Sequence, residues 1–316
     1  MSRSDHRGVA VAVGILAFGL VACSSGGGGS ASESDSSADE QGTRTVETVR
    51  GNVEVPDSPM RIVTLEPVEL DTSVALGVVP VGTAVLSEAT GVPAYLGDEA
   101  ASIASIATVG TVAEPRIESI AALKPDLILG TETRHAEYYD QLAAIAPTVF
   151  MASQSDPWQD NVDFVGRTLG REDDAQALLG EYRDRCSDIA TRFDTQGRTA
   201  QLIRPRDDVL TLYGPLSFAG STLECAGFTT PPRPEWADEI SVDLSPELVT
   251  EARADVIVVT ATDPSDPAAI PAAITANPGA LPNPQAVDQS YWITGVGPKG
   301  GQAVLDDIER ILSQPN

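Results

Sequence analysis

The chain has 316 residues, of which 42% are hydrophobic and 5% aromatic, so it is long enough for two domains and too apolar to be wholly disordered. Its 20 basic residues face 46 acidic ones, which gives a formal net charge of −26. Such a surface repels phosphate backbones, so we expect no nucleic-acid partner.

The first residues have the pattern of an export signal. Arg3 and Arg7 are followed by an uncharged apolar run from Val9 to Ala22. This run is too short to span a bilayer comfortably but suits a signal peptide. Its end, Leu-Val-Ala before Cys23, resembles the lipobox of bacterial lipoproteins. The pattern therefore predicts a signal peptide over residues 1–22 and acylation of Cys23; the alternative is a secretory signal with a chance cysteine.

Residues 23–45 predict a flexible tether, because they are rich in Ser, Gly and acidic residues and have no apolar face. No later segment is apolar enough to cross a membrane. We therefore expect a soluble body on the extracytoplasmic face of the cell membrane, held there by its lipid anchor. Two cysteines remain after processing, Cys186 and Cys225. In an oxidising compartment they predict a disulfide, with two separate buried thiols as the alternative.

Short β-branched runs alternate with amphipathic helical patterns through the rest of the chain, which predicts parallel sheets with helices on their faces. Residues 156–195 read as helix throughout, with one apolar stripe and a break at Gly170. We expect an N-terminal α/β lobe over 46–155, a connecting helix over 156–195 and a C-terminal α/β lobe over 196–316. The predicted strands are Ile62–Leu65, Val79–Leu86, Leu127–Leu129, Thr148–Met151, Thr199–Ile203, Val209–Tyr213 and Val256–Val259.

An internal repeat links the two halves. Residues Glu118–Leu129 are similar to Glu247–Val258, and the offset is 129 residues at both the glutamates and the aspartates. Each copy reads as a helix, an Asp and a buried strand. The repeat predicts two similar lobes with a cleft between them, in which a ligand binds at the carboxyl ends of the strands.

Six short motifs occur in a fixed order along the chain: Pro59–Leu65, Ala75–Val78, Leu123–Ile128, Gln141–Thr148, Tyr213–Gly220 and Gly297-Pro298. In this order the chain resembles the iron–siderophore and cobalamin-type substrate-binding proteins of ATP-binding-cassette importers, over roughly residues 53–312. The resemblance implies an α/β fold of two Rossmann-like lobes joined by a long rigid helix. It also implies a monomer that captures a ferric siderophore and delivers it to a permease dimer. Heme, cobalamin or another metal chelate are the alternative ligands.

Bases at predicted strand ends are candidate ligand contacts. Arg134 and His135 follow the strand at 127–131, and Arg204 follows the strand at 199–203. Arginine suits a ferric siderophore because its planar fork donates to two oxygens at once, and the resemblance favours bases at these positions. The alternative is ion pairing at the surface for the bases and core packing for the aromatic residues. The other candidate cleft residues are Tyr213, Ser217, Phe218, Trp236 and Trp292.

The motifs of common enzymes are missing. The chain has neither a phosphate-binding P-loop nor a nucleophile elbow, and a hydrolase would depend on Ser217 with His135, the single histidine of the processed chain. One histidine cannot form a histidine cluster, so we expect no cofactor and no bare metal site. Tyr138 and Tyr139 could bind ferric ion as phenolates, although packing is the favoured role. We expect a binding protein; an exported hydrolase is the alternative.

The resemblance also implies how the protein docks. In the resembled family each lobe presents one glutamate to arginines of the permease. Glu118 and Glu247 occupy the matching positions, at the helix starts of the repeat. Two equivalent carboxylates on two similar lobes suit a two-fold symmetric permease. The alternative is ordinary helix stabilisation, because acids in a first turn interact favourably with the helix dipole.

Overall fold

The chain folds into a β-hairpin followed by two α/β lobes, and the computed structural model describes residues 42–97, 103–155 and 157–314. The predicted signal peptide, Cys23 and most of the predicted tether lie outside the described residues. The end of the tether does not, because strand β1 (Thr43–Thr48) starts before residue 45. It pairs antiparallel with β2 (Gly51–Pro56), and Val46 and Val55 are buried. This alternation of apolar and polar residues gives the segment a buried face, which the tether prediction missed.

The first lobe contains a five-stranded parallel sheet with the strand order β5-β4-β3-β6-β7. The four strands predicted in this half of the chain are present, whereas β5 was not predicted. The strands are β3 (Ile62–Thr64), β4 (Gly82–Val85), β5 (Ala107–Thr111), β6 (Leu127–Thr131) and β7 (Thr148–Met151). The helices are Pro67–Ala75, Ile117–Ala122, Glu132–His135 and Tyr139–Ala143, with 3₁₀ turns at Ala94–Leu96 and Ala136–Tyr138.

Two helices link the lobes where the sequence predicts one interrupted helix. The first is Trp158–Thr168, and the second, which we call the connecting helix, is Glu172–Phe193. Gly170 lies between them with φ +68°, a left-handed conformation that glycine adopts without strain. The buried stripe of the connecting helix recurs every three or four residues, as an amphipathic helix requires. It comprises Ala175, Leu179, Tyr182, Cys186 and Ile189.

The second lobe also has five strands, in the order β10-β9-β8-β11-β12, but its sheet is mixed. Strands β8, β11 and β12 pair in parallel, while β9 pairs antiparallel with its two neighbours, β8 and β10. The parallel pairing expected from the sequence is present among β8, β11 and β12 but not at β9, because only Asp207 and Asp208 join β8 to β9 and a two-residue turn makes a hairpin. The strands are β8 (Ala200–Arg206), β9 (Val209–Tyr213), β10 (Ser241–Leu244), β11 (Val256–Ala261) and β12 (Gln285–Asp288). The helices are Phe218–Cys225, Ala272–Thr275, Gln289–Trp292 and Pro298–Leu312, with 3₁₀ segments at Pro234–Ala237 and Pro246–Ala252.

The sequence repeat corresponds to a repeated contact at the start of each sheet. The Asp126 carboxylate accepts the backbone N–H groups of Met60 at 2.8 Å and Arg61 at 2.9 Å, just before β3. The Asp255 carboxylate accepts the backbone N–H of Thr199 at 2.8 Å and its hydroxyl at 2.9 Å, just before β8. In both lobes the strand after the aspartate pairs in parallel with the strand that the aspartate anchors.

One buried apolar cluster joins the lobes. It contains Ile62 and Leu129 of the first sheet, Tyr182 of the connecting helix, and Leu202 and Val258 of the second sheet. Cys186 of the connecting helix is joined by a disulfide to Cys225, with 5.4 Å between the Cα atoms, as the sequence predicts. Within the part of the chain that the structure describes, no helix has the length and hydropathy needed to cross a membrane.

Candidate functional site

A cavity of about 440 Å³ lies between the two lobes. Its first-lobe side comes from the start of the helix Pro67–Ala75 and from residues 84–95, which continue from strand β4. Its second-lobe side comes from Arg204 in β8, Thr262 after β11, Asp288 at the end of β12, and the residues that follow Asp288. Strand carboxyl ends of both sheets therefore form the cleft, as the rule for ligand sites in such sheets requires. The volume is within the range of small-molecule sites.

The two walls of the cleft differ in chemistry. The first-lobe wall is mainly apolar and the second-lobe wall mainly polar. The apolar residues of the first-lobe wall are Pro67, Leu70, Ala84, Val85, Leu86, Pro93 and Ala94. The same wall also contains Ser87, Thr90, Gly91 and Tyr95. The second-lobe residues are Arg204, Thr262, Asp288, Gln289, Ser290 and Thr294. This combination can hold a ligand that has an apolar side and a face of oxygen acceptors.

Arg204 is the predicted site residue that lines the cavity. Its Nη1 donates to the hydroxyl of Tyr213 at 3.4 Å, and it forms no ion pair with any carboxylate of the described residues. By contrast Arg206, two residues further along β8, pairs with Asp243 at 3.1 Å. The guanidinium of Arg204 therefore keeps donors for a ligand, and Tyr213 supports it without lining the cavity itself.

Polar side chains of the second-lobe wall are held by one another. The Asp288 carboxylate accepts the backbone N–H of Ser290 at 2.7 Å and so caps the short helix Gln289–Trp292. The side-chain amide of Gln289 donates to the hydroxyl of Thr262 at 2.9 Å. The bond between Gln289 and Thr262 joins the segments that follow β12 and β11, and both bonds orient polar groups of this wall.

Arg134 lies beside the first-lobe wall rather than in it. Its guanidinium pairs with the carboxylate of Glu66 at 3.0 Å, and Glu66 directly precedes the wall residue Pro67. The Glu66 side chain is 1% exposed. Burial raises the pKa of Glu66 to about 7 despite the neighbouring Arg134, whose charge acts in the opposite direction. Arg134 therefore forms an ion pair, as the alternative expected, but with a buried carboxylate rather than one at the surface.

A buried aspartate bonds the first lobe to the helix that ends the chain. Asp71, in the helix Pro67–Ala75, accepts the backbone N–H groups of Lys299 at 2.8 Å and Gly300 at 2.9 Å, in the first turn of Pro298–Leu312. The wall residue Tyr95 also hydrogen-bonds to Asp71. Burial raises the pKa of Asp71 from an ordinary 3.8 to about 7, although these hydrogen bonds oppose the shift.

Gly297, part of a motif noted in the sequence, is explained by Asp71. A Cβ on Gly297 would lie 2.5 Å from the Asp71 side chain, and its φ of +143° is a conformation that glycine favours. The close approach is what lets the start of the last helix reach the buried carboxylate.

His135 does not reach the cleft, which corrects its assignment as a ligand contact. Its side chain is fully buried, its Nδ1 accepts the backbone N–H of Thr131 at 3.0 Å, and its Nε2 lies 2.9 Å from the carbonyl oxygen of Val112. Because Nδ1 accepts, the proton is on Nε2 and is donated to Val112. Burial lowers the pKa of His135, so the ring stays neutral and structural.

Ser217 is likewise engaged in structure. Its hydroxyl donates to the carbonyl of Gly214 at 2.7 Å and accepts the backbone N–H of Gly220 at 3.1 Å. It is the N-cap of the helix Phe218–Cys225. Since His135 in the first lobe has both nitrogens bonded, Ser217 and His135 do not form the dyad of the hydrolase alternative.

The predicted aromatic walls pack in the core instead. Trp236 donates its indole N–H to the carbonyl of Pro231 at 2.9 Å, and Trp292 donates to Asp307 at 2.8 Å. Phe218 packs edge-on against Trp158 with 5.3 Å between ring centroids. None of the three predicted residues is among the described residues that line the cavity. The indole rings of Trp236 and Trp292 suit core positions that offer one acceptor, because each ring has a single N–H donor.

The tyrosine pair that could have held ferric ion also packs. Tyr139 lies edge-on against Phe150 with centroids 5.1 Å apart, and the guanidinium of Arg50 stands 4.3 Å from the Tyr139 ring centroid. Tyr138 packs against the same first-lobe core cluster. Among the described residues no group of three or more His, Cys, Asp and Glu side chains is arranged to hold a metal ion.

Three cleft residues that were not predicted also lie at the carboxyl ends of strands. The rule that ligands bind at such ends was applied above only to the strands before Arg134 and Arg204. Leu86 directly follows β4, Thr262 follows β11 and Asp288 ends β12. The rule that ligands bind at strand carboxyl ends would have selected Leu86 and Thr262, because β4 and β11 were predicted. Asp288 had no such signal, since β12 itself was not predicted.

Glu118 and Glu247 are exposed in the first turn of a helical segment, one in each lobe. Glu118 belongs to the α-helix Ile117–Ala122, whereas Glu247 belongs to the 3₁₀ segment Pro246–Ala252. Within the described residues neither carboxylate forms an ion pair, so both are free to meet a partner.

Comparison with known proteins agrees with this architecture. Residues 62–281 match the periplasmic binding protein family. The probable siderophore-binding lipoprotein YfiY of Bacillus subtilis is 31% identical over 297 residues, which cover 88% of this chain and 90% of YfiY. The Fe(3+) dicitrate-binding periplasmic protein FecB of Escherichia coli is 31% identical over 190 residues, covering 59% of this chain and 62% of FecB.

A solved structure extends the comparison to three dimensions. Staphylococcus aureus SirA complexed with staphyloferrin B superposes with a TM-score of 0.68 at 26% identity, covering 85% of this chain and 98% of SirA. The architecture of this chain therefore superposes on nearly all of a solved structure, and its residues 62–281 match the family model. The chain belongs to the periplasmic binding protein family, the substrate-binding proteins of ATP-binding-cassette importers.

Proposed function

We propose that this protein captures a ferric siderophore in its interlobe cleft and delivers it to an ATP-binding-cassette importer on the extracytoplasmic face of the membrane. The observation that carries the proposal is Arg204, which lines the cleft at a strand end and has no carboxylate partner among the described residues. The name of YfiY, which aligns over most of the chain, supports a siderophore as the ligand class.

The cleft suits this ligand because a ferric siderophore has iron-bound oxygens on one side and an organic backbone on the other. Arg204 would donate charge-assisted hydrogen bonds to the oxygens, while the apolar residues of the first-lobe wall would cover the backbone. The apolar cluster shared by both lobes favours a small closure over a wide hinge motion.

Heme fits this site less well than a siderophore does. Heme needs an axial ligand to its iron, which is usually His, Cys, Met or Tyr. The described lining residues include none of the first three, and the one tyrosine, Tyr95, is bonded to Asp71. Cobalamin remains a second candidate, because a cobalamin-binding protein of Halobacterium salinarum is 28% identical over 223 residues, covering 66% of this chain and 58% of that protein.

Replacing Arg204 tests the binding site. Arg204→Ala should weaken binding by about 1.5–3 kcal/mol, the usual value of a hydrogen bond to a charged group. Arg206→Ala is the matched control, because Arg206 lies on the same strand and pairs with Asp243 outside the cavity. Isothermal titration calorimetry of the purified protein with ferric siderophores and cobalamin measures both affinities. Equal affinities of the two variants would contradict the site, and consumption of the ligand would contradict the binding role.

Delivery would use Glu118 and Glu247 as one docking carboxylate on each lobe. Glu118→Ala combined with Glu247→Ala should leave ligand affinity unchanged while uptake of radioactive ferric iron by cells falls sharply. Glu172→Ala is the matched control, since Glu172 is also an exposed acid in the first turn of a helix. Normal uptake by the double variant at normal abundance would leave helix stabilisation as the role of both residues.

Cys23 would carry the lipid anchor that keeps the protein at the membrane. Two acyl chains hold a protein stably where one is marginal, so the acylated form should fractionate with membranes. Cys23→Ala should release the protein from the membrane fraction without changing the affinity of the cleft. Retention of Cys23→Ala in the membrane fraction would contradict the anchor.

A further inference from the structure

We infer that the ligand is an electroneutral ferric complex of the trihydroxamate class rather than an anionic carboxylate or catecholate complex. The inference rests on the proposed function and narrows it. Three hydroxamates carry one negative charge each and together neutralise Fe³⁺, whereas three catecholates leave the complex trianionic. The charge of the complex is therefore what the cleft has to match.

The lining of the cleft, as far as the structure describes it, has one cation and one anion. Arg204 and Asp288 are the charged side chains among the described residues that line it. The other nearby arginine, Arg134, lies outside the described lining of the cavity and contacts the carboxylate of Glu66 at 3.0 Å. A trianionic ligand would therefore bring charges into the site that no described side chain balances, and removing unpaired charges from water is costly.

The net charge of the whole chain also disfavours an anionic ligand. At a formal −26 the protein repels anions approaching the cleft, and such repulsion lowers association rates in a salt-dependent way. A neutral complex approaches without this repulsion. A receptor selected for an anionic ligand would be expected to concentrate bases around its cleft, yet Asp288 lies on the wall that also carries Arg204.

The uneven walls complete the match. A trihydroxamate complex presents iron-bound oxygens on one face and methylene spacers on the other. The oxygens would meet Arg204 together with the hydroxyl and amide donors of Thr262, Gln289 and Ser290, and the spacers would lie against the apolar first-lobe wall. A single arginine provides one charge-assisted contact, and neutral donors are sufficient for the other oxygens.

The test compares ferrichrome, a neutral trihydroxamate, with ferric enterobactin, a trianionic tricatecholate, and ferric citrate. We expect calorimetry of the purified protein to give a ferrichrome dissociation constant at least about 100-fold below those of the anionic complexes. The ferrichrome value should change less than about two-fold between low and high salt, because a neutral ligand has little charge to screen. Tighter binding of an anionic complex, or equal binding of all three, would overturn the inference and leave the proposed function standing. Binding of none of these complexes would end both.

A gain-of-charge variant separates cleft charge from shape. Gln289→Lys adds a cation to the second-lobe wall, and Gln176→Lys adds the same charge on the connecting helix, outside the residues that line the cavity. Gln289→Lys should tighten binding of ferric enterobactin at least about ten-fold without tightening ferrichrome, and Gln176→Lys should change neither. Equal effects of the two variants would show that cleft charge does not select the ligand.

Discussion

Replacement of Asp71 tests the bond between the first lobe and the last helix. Asp71→Ala removes the acceptor of two backbone N–H groups, those of Lys299 and Gly300. A buried donor left without a partner costs about 1–3 kcal/mol, so the variant should lose about 2–6 kcal/mol of unfolding free energy. Asp71→Ala also removes the cost of burying the carboxyl group, so the measured loss of unfolding free energy should lie toward the lower end of this range.

Asp71→Asn tests the electrostatics of the same site through pH. The pKa of Asp71 is about 7 in the folded protein against 3.8 ordinarily, so the folded state holds a proton that the unfolded state releases between these values. Its stabilising contribution is present below pH 4 and is lost as pH rises through 7. Between pH 5 and pH 8 the wild type should lose about 2–3 kcal/mol relative to Asp71→Asn, at about 1.4 kcal/mol per pKa unit.

Urea denaturation at the two pH values measures this difference. Glu66 and Glu69 also have raised pKa values because of burial, and both are present in wild type and variant, so the comparison isolates Asp71. Asp255→Asn is the control, because hydrogen bonds from Thr199 lower the pKa of Asp255 and its contribution is lost only in acid. A wild-type loss equal to that of Asp71→Asn between pH 5 and pH 8 would refute the reasoning.

The disulfide and a core tryptophan give further predictions. Cys186→Ser with Cys225→Ser should cost about 3–4 kcal/mol in urea denaturation, because the bond closes a loop with a sequence separation of 39 residues; unchanged stability, or two free thiols in the unreduced wild type, would contradict the bond. Trp292→Phe removes the donor to Asp307 and should cost about 1–3 kcal/mol while ligand affinity stays the same. A loss of ligand affinity without a loss of stability would indicate that Trp292 contacts the ligand in the cleft.

Much of the fold was predictable because the spacing of apolar residues indicates which face of an element is buried, and a sequence repeat indicates a repeated structural unit. The stripe from Ala175 to Ile189 indicated the connecting helix, and the matching Asp126 and Asp255 indicated two lobes, since both anchor the start of a sheet. The hairpin from β8 to β9 was missed because the predicted strand ended at Ile203, so the two-residue turn of Asp207 and Asp208 was not recognised.

A site residue was predictable where its position at a strand end brings it to the cleft, and not where side-chain packing determines its location. Arg204 follows from its place near a strand end, because that edge of the sheet faces the cleft. His135 has an equivalent place after β6, yet a turn of helix directs its ring inward to Thr131 and Val112. Trp236 and Trp292 could serve as core or as wall, and only the positions of Pro231 and Asp307 decide between these roles.

Anomalous X-ray diffraction at the iron absorption edge tests the central claim most directly. Crystals of the protein grown with the ferric siderophore that binds most tightly should show one iron peak per chain, between the first-lobe wall of the cleft and the guanidinium of Arg204. This result would place the captured iron in the interlobe cleft. An iron peak beside Tyr138 and Tyr139, or crystals without bound iron under saturating complex, would contradict the account.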